Sequence, residues 1–257
     1  MCSIKRMLIC ICCLTSLSAF GVEPFLVPAI GDIDKSFSGL STASGEEIVL
    51  TMPSGALLAL KQDRTLLNDK FPFYPFGCYV SSSPLLYDYD KDGQLDIAFF
   101  SESPAGFAGF HIITSQTSNL FLIDKLDQIP VSRPIVVDIL TNQFGPELLY
   151  IADSGSIDIV NLSTKIREKS ISIPNEKAVF LTADCPPASA GATNIVFFTD
   201  KNRLFIYNPS SETTNFVQAF SHSPISAPVI GEFSGNSSRD TAFLLSNGEF
   251  VVVSKNH

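Results

Sequence analysis

The sequence has no tryptophan, three histidines, and 17 basic residues against 26 acidic ones. Each scarcity excludes something. His111, His222 and His257 are the only histidines and none has a partner at ligand or triad spacing, so a zinc centre or a serine–histidine hydrolase has little to draw on. A formal charge of −9 is not built to neutralise phosphate, which argues against nucleic acid and anionic membrane surfaces as partners. Beyond the N-terminal stretch no segment is apolar enough to span a bilayer, so the chain does not read as an integral membrane protein. Cysteine is also scarce: Cys2, Cys10, Cys12 and Cys13 crowd the N-terminus, leaving Cys78 and Cys185. Two distant cysteines make neither a disulfide framework nor a zinc site.

What is abundant points to strands. Hydrophobic residues make up 45% of the 257, with 21 Phe, and the 15 Gly and 16 Pro are spread along the chain. That distribution suits many short strands joined by turns around a sizeable core.

The N-terminus reads as an export signal. Lys5 and Arg6 precede the uncharged run Met7 to Phe20, and Ala19-Phe20-Gly21 offers small residues for cleavage before Val22. The run is 14 residues, short of the ~20 an uncleaved anchor needs. The expectation is a signal peptide over 1–21, and a secreted or extracellular protein, periplasmic if bacterial. Losing Lys5 and Arg6 takes the charge from −9 to −11. Sequons at Asn161 and Asn236 mark possible glycosylation sites in a eukaryotic host.

The remaining chain repeats itself. A phrase opens with Pro or Ala, runs through apolar residues to an acid, and loops. A second acid then starts an apolar run, a small turn follows, and another apolar run ends the phrase. Copies are VPAIGDID–EEIVLT–SGALLAL from 27, SPLLYDYDKDGQLDIAFF–GFHIIT from 83, RPIVVDIL–PELLYIAD–GSIDIVNL from 133, AVFLTAD–TNIVFFTD–RLFIYN from 178, and APVIGEF–DTAFLLS–GEFVVVS from 227. Pro28, Pro84, Pro134, Val179 and Pro228 lie 56, 50, 45 and 49 apart, a period that suits four-stranded propeller blades. Runs of four to six apolar residues suit strands buried on both faces, and a leading Pro suits the first residue of a strand. Asp153-Ser154-Gly155-Ser156 and Ser246-Asn247-Gly248-Glu249 read as hairpin turns.

The expected fold is all-β: a β-propeller of about five four-stranded blades, near 27–75, 80–127, 131–174, 177–219 and 225–257. The last copy shows three strands. The ring is therefore either incomplete or closed by a strand from Val22–Leu26. In this scheme Cys78 and Cys185 fall in loops at opposite ends of the strands, which argues against a bridge.

One motif carries chemistry. Asp88, Asp90, Asp92 and Asp96 occupy positions 1, 3, 5 and 9 of a loop, Gly93 permits its sharp turn, and the Gln94 carbonyl can point inward. Hard oxygens at alternating places are what Ca²⁺ requires, and four carboxylates this close repel without a cation. Phe99 stands where a helix–loop–helix hand has its bidentate Glu, and the flanks SSPLLY and LDIAFF read as strands. The expected cofactor is one structural calcium ion clamping the turn between two strands.

A strand, DxDxDGxxD and a buried strand, repeated at this spacing, resembles the FG-GAP/VCBS family of calcium-binding propeller repeats, which includes the integrin α-chain head. The resemblance implies Asp88, Asp90, Asp92, Asp96 and the Gln94 carbonyl as ligands. The first copy keeps Asp32 and Asp34, the third keeps Asp138 and Glu147, and the last two lack the cluster.

Other motifs read as scaffold. His222 beside Ser221 and Ser223 reads as a loop before the last copy. Phe71 to Phe76, FPFYPF, reads as a buried plug between blades in preference to an exposed binding surface. The functional expectation is a non-enzymatic binding or adhesion module taking a protein or glycan ligand on a propeller face. Two alternatives stand beside it: an extracellular propeller enzyme, polysaccharide lyase or quinoprotein-like, and a truncated or degenerate propeller. The quinoprotein repeats use recurrent Trp, which is absent here.

Overall fold

The computed structural model describes residues 29–31, 47–61, 63–67, 69–91, 95–114, 120–123, 125–139, 145–184, 194–234 and 239–254. The expected signal peptide, Cys185, Asn236 and the triplet Asp92-Gly93-Gln94 lie outside the described residues. Among those described, the regular elements are all strands, gathered into five sheets. No described helix is long and apolar enough to cross a membrane.

The first sheet holds β1 (Ala29–Gly31), β2 (Glu47–Thr51) and β3 (Leu57–Leu60). The second holds β4 (Tyr79–Val80), β5 (Leu85–Tyr87), β6 (Asp96–Glu102), β7 (Ala108–Ile113) and β8 (Leu120–Ile123). The third runs β9 (Ile135–Val137), β10 (Glu147–Ile151), β11 (Ile157–Asn161) and β12 (Ile166–Ile171). The fourth runs β13 (Ala178–Ala183), β14 (Ile195–Thr199), β15 (Arg203–Asn208) and β16 (Thr213–Ala219). The fifth holds β17 (Val229–Gly231), β18 (Asp240–Leu244) and β19 (Phe250–Val253). Every pairing is antiparallel and, apart from β4 with β6, joins chain neighbours, so each sheet is a meander; β4 and β5 both pair with one edge of β6 as an interrupted inner strand. First strands of successive sheets meet, β1 with β5, β9 with β13 and β13 with β17, as they do around a propeller axis.

The apolar runs are continuous because both faces of the middle sheets are covered. In β10, Leu148 and Tyr150 point into a core shared with the second sheet, and Leu149 and Ile151 into one shared with the fourth. The same alternation sends Ile97 and Phe99 of β6 toward the first sheet and Ala98 and Phe100 toward the third. Val196 and Phe198 of β14 meet Phe243 and Leu245 beyond β18's start, closing a fourth core. A fully buried Leu or Phe side chain contributes roughly 1.5–3 kcal/mol, so these four inter-sheet cores dominate stability. The outermost strands β12 and β16 are mostly exposed.

The expected five four-stranded blades are not found in that form. Only the third and fourth sheets have four strands in simple order; the second has an interrupted inner strand, and the first and last have three each among the described residues. Four sheets, the second to the fifth, have an inner strand whose side chains are described and form four blades of a propeller-like arrangement. The first sheet is described at β1 only in its backbone.

The hairpins inside the sheets share one geometry. Gly55, Gly106, Gly155 and Gly248 have φ of 77, 79, 87 and 84°, and Asn202 takes the same place with φ 57°. Gly155 N donates to Ala152 O and Ala152 N to Ser156 O, a pattern repeated at Met52–Ala56, Ser103–Phe107 and Leu245–Glu249. Positive φ at this place is why the repeat carries Gly or Asn there.

Candidate functional site

The acidic loop joins β5 to β6. Asp88 and Asp90 follow β5, Asp96 opens β6, and one carboxylate oxygen from each lies within 4.8 Å of the others. Asp96 is buried, Asp88 half-buried and Asp90 exposed; Lys91 between them turns the chain with φ 60°. Three hard anionic oxygens converging on one point fit a divalent cation bound by oxygen. Asp92 and Gln94, the other expected ligands, lie outside the described residues.

Asp96 also has a second role that the repeat explains. Its Oδ2 accepts a hydrogen bond from Tyr89 N at 2.9 Å. Glu147, opening β10, accepts from Ile139 N at 2.8 Å. Asp240, opening β18, accepts from Phe233 N at 3.0 Å and Ser234 N at 2.7 Å. All three acids are wholly buried. In the second, third and fifth sheets the acid that starts the second strand therefore latches the turn behind it. Among the described residues, the second sheet is the one in which further carboxylates, Asp88 and Asp90, converge on that acid.

A second latch was not anticipated. Ser82 Oγ accepts from Phe100 N at 2.9 Å, Ser132 Oγ from Ile151 N at 2.9 Å, and Ser226 Oγ from Leu244 N at 3.1 Å. In each case the serine stands two residues before the anchoring proline: Ser82-Ser83-Pro84, Ser132-Arg133-Pro134, Ser226-Ala227-Pro228. Proline interrupts the inner strand because it has no N–H to give, and the serine hydroxyl meets the donor of the neighbouring strand. The signal was in the sequence as Ser-x-Pro, beside the Pro that set the repeat.

The FPFYPF loop divides. Phe71 is buried and Phe73 packs on the first inter-sheet core, edge-on to Phe99 at 6.1 Å. Tyr74 is 59% exposed and Phe76 wholly so. The plug expected for the whole segment holds for its first half only. Tyr79, opposite Glu102 in the β4–β6 pair, is also exposed, and burial and Glu102 raise its phenol above the usual range. Phe107, in the hairpin that follows Glu102, is half exposed with Lys125 Nζ 4.6 Å over its ring. Four exposed aromatics thus flank the second sheet: Tyr74 and Phe76 in the loop before β4, Tyr79 in β4 and Phe107 in the β6–β7 hairpin.

Other groups are structural. His111 is stacked on Phe99 at 5.0 Å and hydrogen-bonded to the buried Ser101 hydroxyl. His222 Nδ1 lies 3.0 Å from Ser221 Oγ on an exposed loop, a contact between chain neighbours open to water. Buried Asp158 receives Tyr150 OH, Ser156 Oγ, Ser170 Oγ and Arg167 Nη1, a network within the third sheet that reaches its exposed outer strand β12. Burial and then Asp158 push the Tyr150 phenol far up. A cleft of about 300 Å³ between the fourth and fifth sheets is lined by Leu204, Phe216, Val253 and the Arg239–Asp184 pair; the hydroxyls in its wall, Thr241 and Ser254, have no histidine beside them in that lining. Cys78 has no disulfide partner among the described residues. Asn161 is 1% exposed and its side-chain oxygen accepts from Ser163 N and Thr164 N, so that sequon is a turn cap and is not presented for a glycan in the folded chain.

No family model matches the sequence, and no curated protein matches it. Solved structures do. BBS1N in complex with ARL6DN, soaked with mercury, superposes with a TM-score of 0.54 at 12% identity over 82% of this chain and 61% of that one. The lead-soaked form of the same complex gives 0.56 at 10% identity over 90% and 61%. The C-terminal domain of Pseudomonas aeruginosa PilY1 gives 0.50 at 13% identity over 84% and 55%. The chain therefore spans somewhat more than half the length of these structures. At such identities the likeness shows the propeller-like fold alone.

Proposed function

We propose that this chain is a secreted, non-enzymatic binding module: a propeller of five blades that presents aromatic side chains to a protein or glycan ligand, with calcium fixing the second blade. The first sheet, which packs on the second through Val49, Leu57 and Ala59, serves as the additional blade. The observation that carries the reading is the exposure of four aromatics, Tyr74, Phe76, Tyr79 and Phe107, in and around the start of the second sheet. Aromatics offer large contact area at low conformational cost and stack on sugars and peptides alike. The complex of BBS1N with ARL6DN supports a protein as ligand, since that propeller-like neighbour is itself seen bound to another protein.

Calcium would be held by Asp88, Asp90, Asp92, Asp96 and the Gln94 carbonyl, as in the FG-GAP/VCBS repeats that the loop resembles. When bound it supplies positive charge and no chemistry of its own. The chain's own contribution is the latch of Asp96 on Tyr89 N, which holds the turn in shape. Export follows from the N-terminal signal.

The test is a Tyr74→Ser/Phe76→Ser double variant compared with the parent on a glycan array and a panel of purified surface proteins. Binding shared by the parent alone, with both proteins melting together, supports the reading. Binding equal in the two, or turnover of an offered polysaccharide, contradicts it.

A further inference from the structure

The junction of the fourth and fifth sheets is packed at one end and open at the other. Phe198 of β14 lies edge-on to Phe243 of β18 with ring centroids 4.6 Å apart, and Phe220 packs on both at 5.9 and 5.0 Å. Two residues earlier on each strand stand Val196 and Thr241, in the wall of the cleft of about 300 Å³. The repeat explains the space. Ile97, Leu148 and Ile195 hold one place in β6, β10 and β14, paired with Leu86, Val136 and Ala183 of the first strands, and each is buried in the core shared with the preceding sheet. Thr241 holds that place in β18, opposite Ile230. Its outer neighbour is Val253, where the fourth sheet has Tyr207 beside Ile195. Threonine and valine leave volume here that isoleucine and tyrosine occupy one sheet earlier.

The facing wall is part polar. Asn194 stands two residues before Val196 and shares its face, while Asn215 and Gln218 of β16 pair with Ile206 and Leu204. Arg239 and Asp184 are the charged residues of the lining, joined Nε to Oδ1 at 2.5 Å, with the Asp184 side chain 7% exposed. The Arg239 Nη groups have no partner among the described residues. The pair is neutral as a unit, so an anion would meet Asp184 and a cation Arg239, each repelled by a neighbour of its own sign. An apolar ligand would take water from the carboxamides and the guanidinium and return no hydrogen bond. A hydroxyl both donates and accepts, and so suits every polar group of this wall. We infer that the cleft binds a neutral sugar ring, its adjacent hydroxyls meeting Arg239, Asn215 and Gln218 and its C–H face lying on Val196, Ile206 and Val253. The volume stands at the lower end of the roughly 300–1,000 Å³ of small-ligand pockets. The site is separate from the exposed aromatics of the second sheet and needs neither them nor calcium.

A protein-observed NMR titration tests this, using methyl glycosides of glucose, galactose and mannose, N-acetylglucosamine, the matching disaccharides, and glucuronate as the anionic comparison. A neutral sugar should shift the amides of Asn194, Asn215 and Thr241 and leave those of Tyr74 to Phe107 in place. Disaccharides that bind as well as monosaccharides mark the end of a glycan as the source, and monosaccharides alone a free sugar. Thr241→Ile puts back the residue type of the other sheets, so it should melt no lower than the parent while affinity falls at least ~10-fold. If that variant does not fold, Asn215→Ala on the exposed strand β16 carries the same comparison. The Tyr74→Ser/Phe76→Ser variant should bind these sugars as the parent does, whatever becomes of the aromatic surface. A parent whose cleft amides no sugar shifts overturns the inference. So does a folded Thr241→Ile variant that binds like the parent, or glucuronate that binds as tightly as the neutral sugars.

Discussion

Replacing Asp240 by alanine removes the acceptor that holds the turn between β17 and β18. Its wholly buried carboxylate takes Phe233 N at 3.0 Å and Ser234 N at 2.7 Å. A buried donor left without an acceptor costs roughly 1–3 kcal/mol. The turn borders solvent, with Phe233 partly exposed, so water relieves some of that cost. Two donors at the lower end of the range give about 2–3 kcal/mol. For a domain of this size each kcal/mol lowers the melting temperature by about 2–4 °C, so the fall should be about 4–12 °C. Thermal unfolding followed by circular dichroism measures it. Asp240→Asn keeps an acceptor oxygen and should recover most of the loss. An alanine variant that melts within about 1 °C of the parent would refute the latch, and an asparagine variant as damaged as the alanine would show that charge matters and not the acceptor.

Gly155→Ala should cost more than Gly248→Ala. Both have positive φ, but a Cβ at Gly155 would meet Lys177 Cβ at 2.5 Å, while Gly248 has open space. The shared strain is about 1–2 kcal/mol, and equal melting temperatures for the two variants would show that the crowding is relieved. Ser132→Ala leaves Ile151 N without its hydroxyl acceptor and should cost about 1–2 kcal/mol, with faster hydrogen exchange at that amide; unchanged exchange contradicts it. Tyr150 has its folded pKa raised by burial and Asp158. A raised acid pKa means that stability is whole below the unfolded value of about 10 and is lost as pH rises beyond it. Unfolding between neutral pH and strong alkali should thus steepen above that point, and Tyr150→Phe should flatten the slope; an identical slope in the variant contradicts the assignment.

The strands were legible because burial on both faces leaves unbroken apolar runs such as ELLYI and IVFFT, which became β10 and β14. The outer strands were harder to place, since β16 is polar and exposed and shows only weak alternation. The recurring acids were legible as landmarks, but their work depends on where the backbone of the preceding turn comes to lie. Ser-x-Pro gives little signal in the sequence, because a single serine is common and its acceptor role needs the neighbouring strand. The FPFYPF loop does not behave as a unit, because which rings find a core depends on the junction between the first two sheets. Likewise Asn161 matches a glycan acceptor by triplet alone, and only its burial in the β11 turn removes it. The acidic loop is legible from charge spacing, and the structure adds the convergence of Asp88, Asp90 and Asp96.

The most direct measurement is a calorimetric titration of calcium into chelator-treated protein, paired with a melt at matched calcium. Asp90→Asn is the comparison, because Asp90 is exposed and its loss spares the buried latch of Asp96. The parent should bind one ion, and at a free concentration 100 times Kd mass action adds roughly 2.7 kcal/mol, a rise of about 5–10 °C. The variant should lose most of both signals. A parent that gives no binding heat and melts alike in calcium and in chelator would leave the acidic turn without an ion and end the account of the second sheet given above.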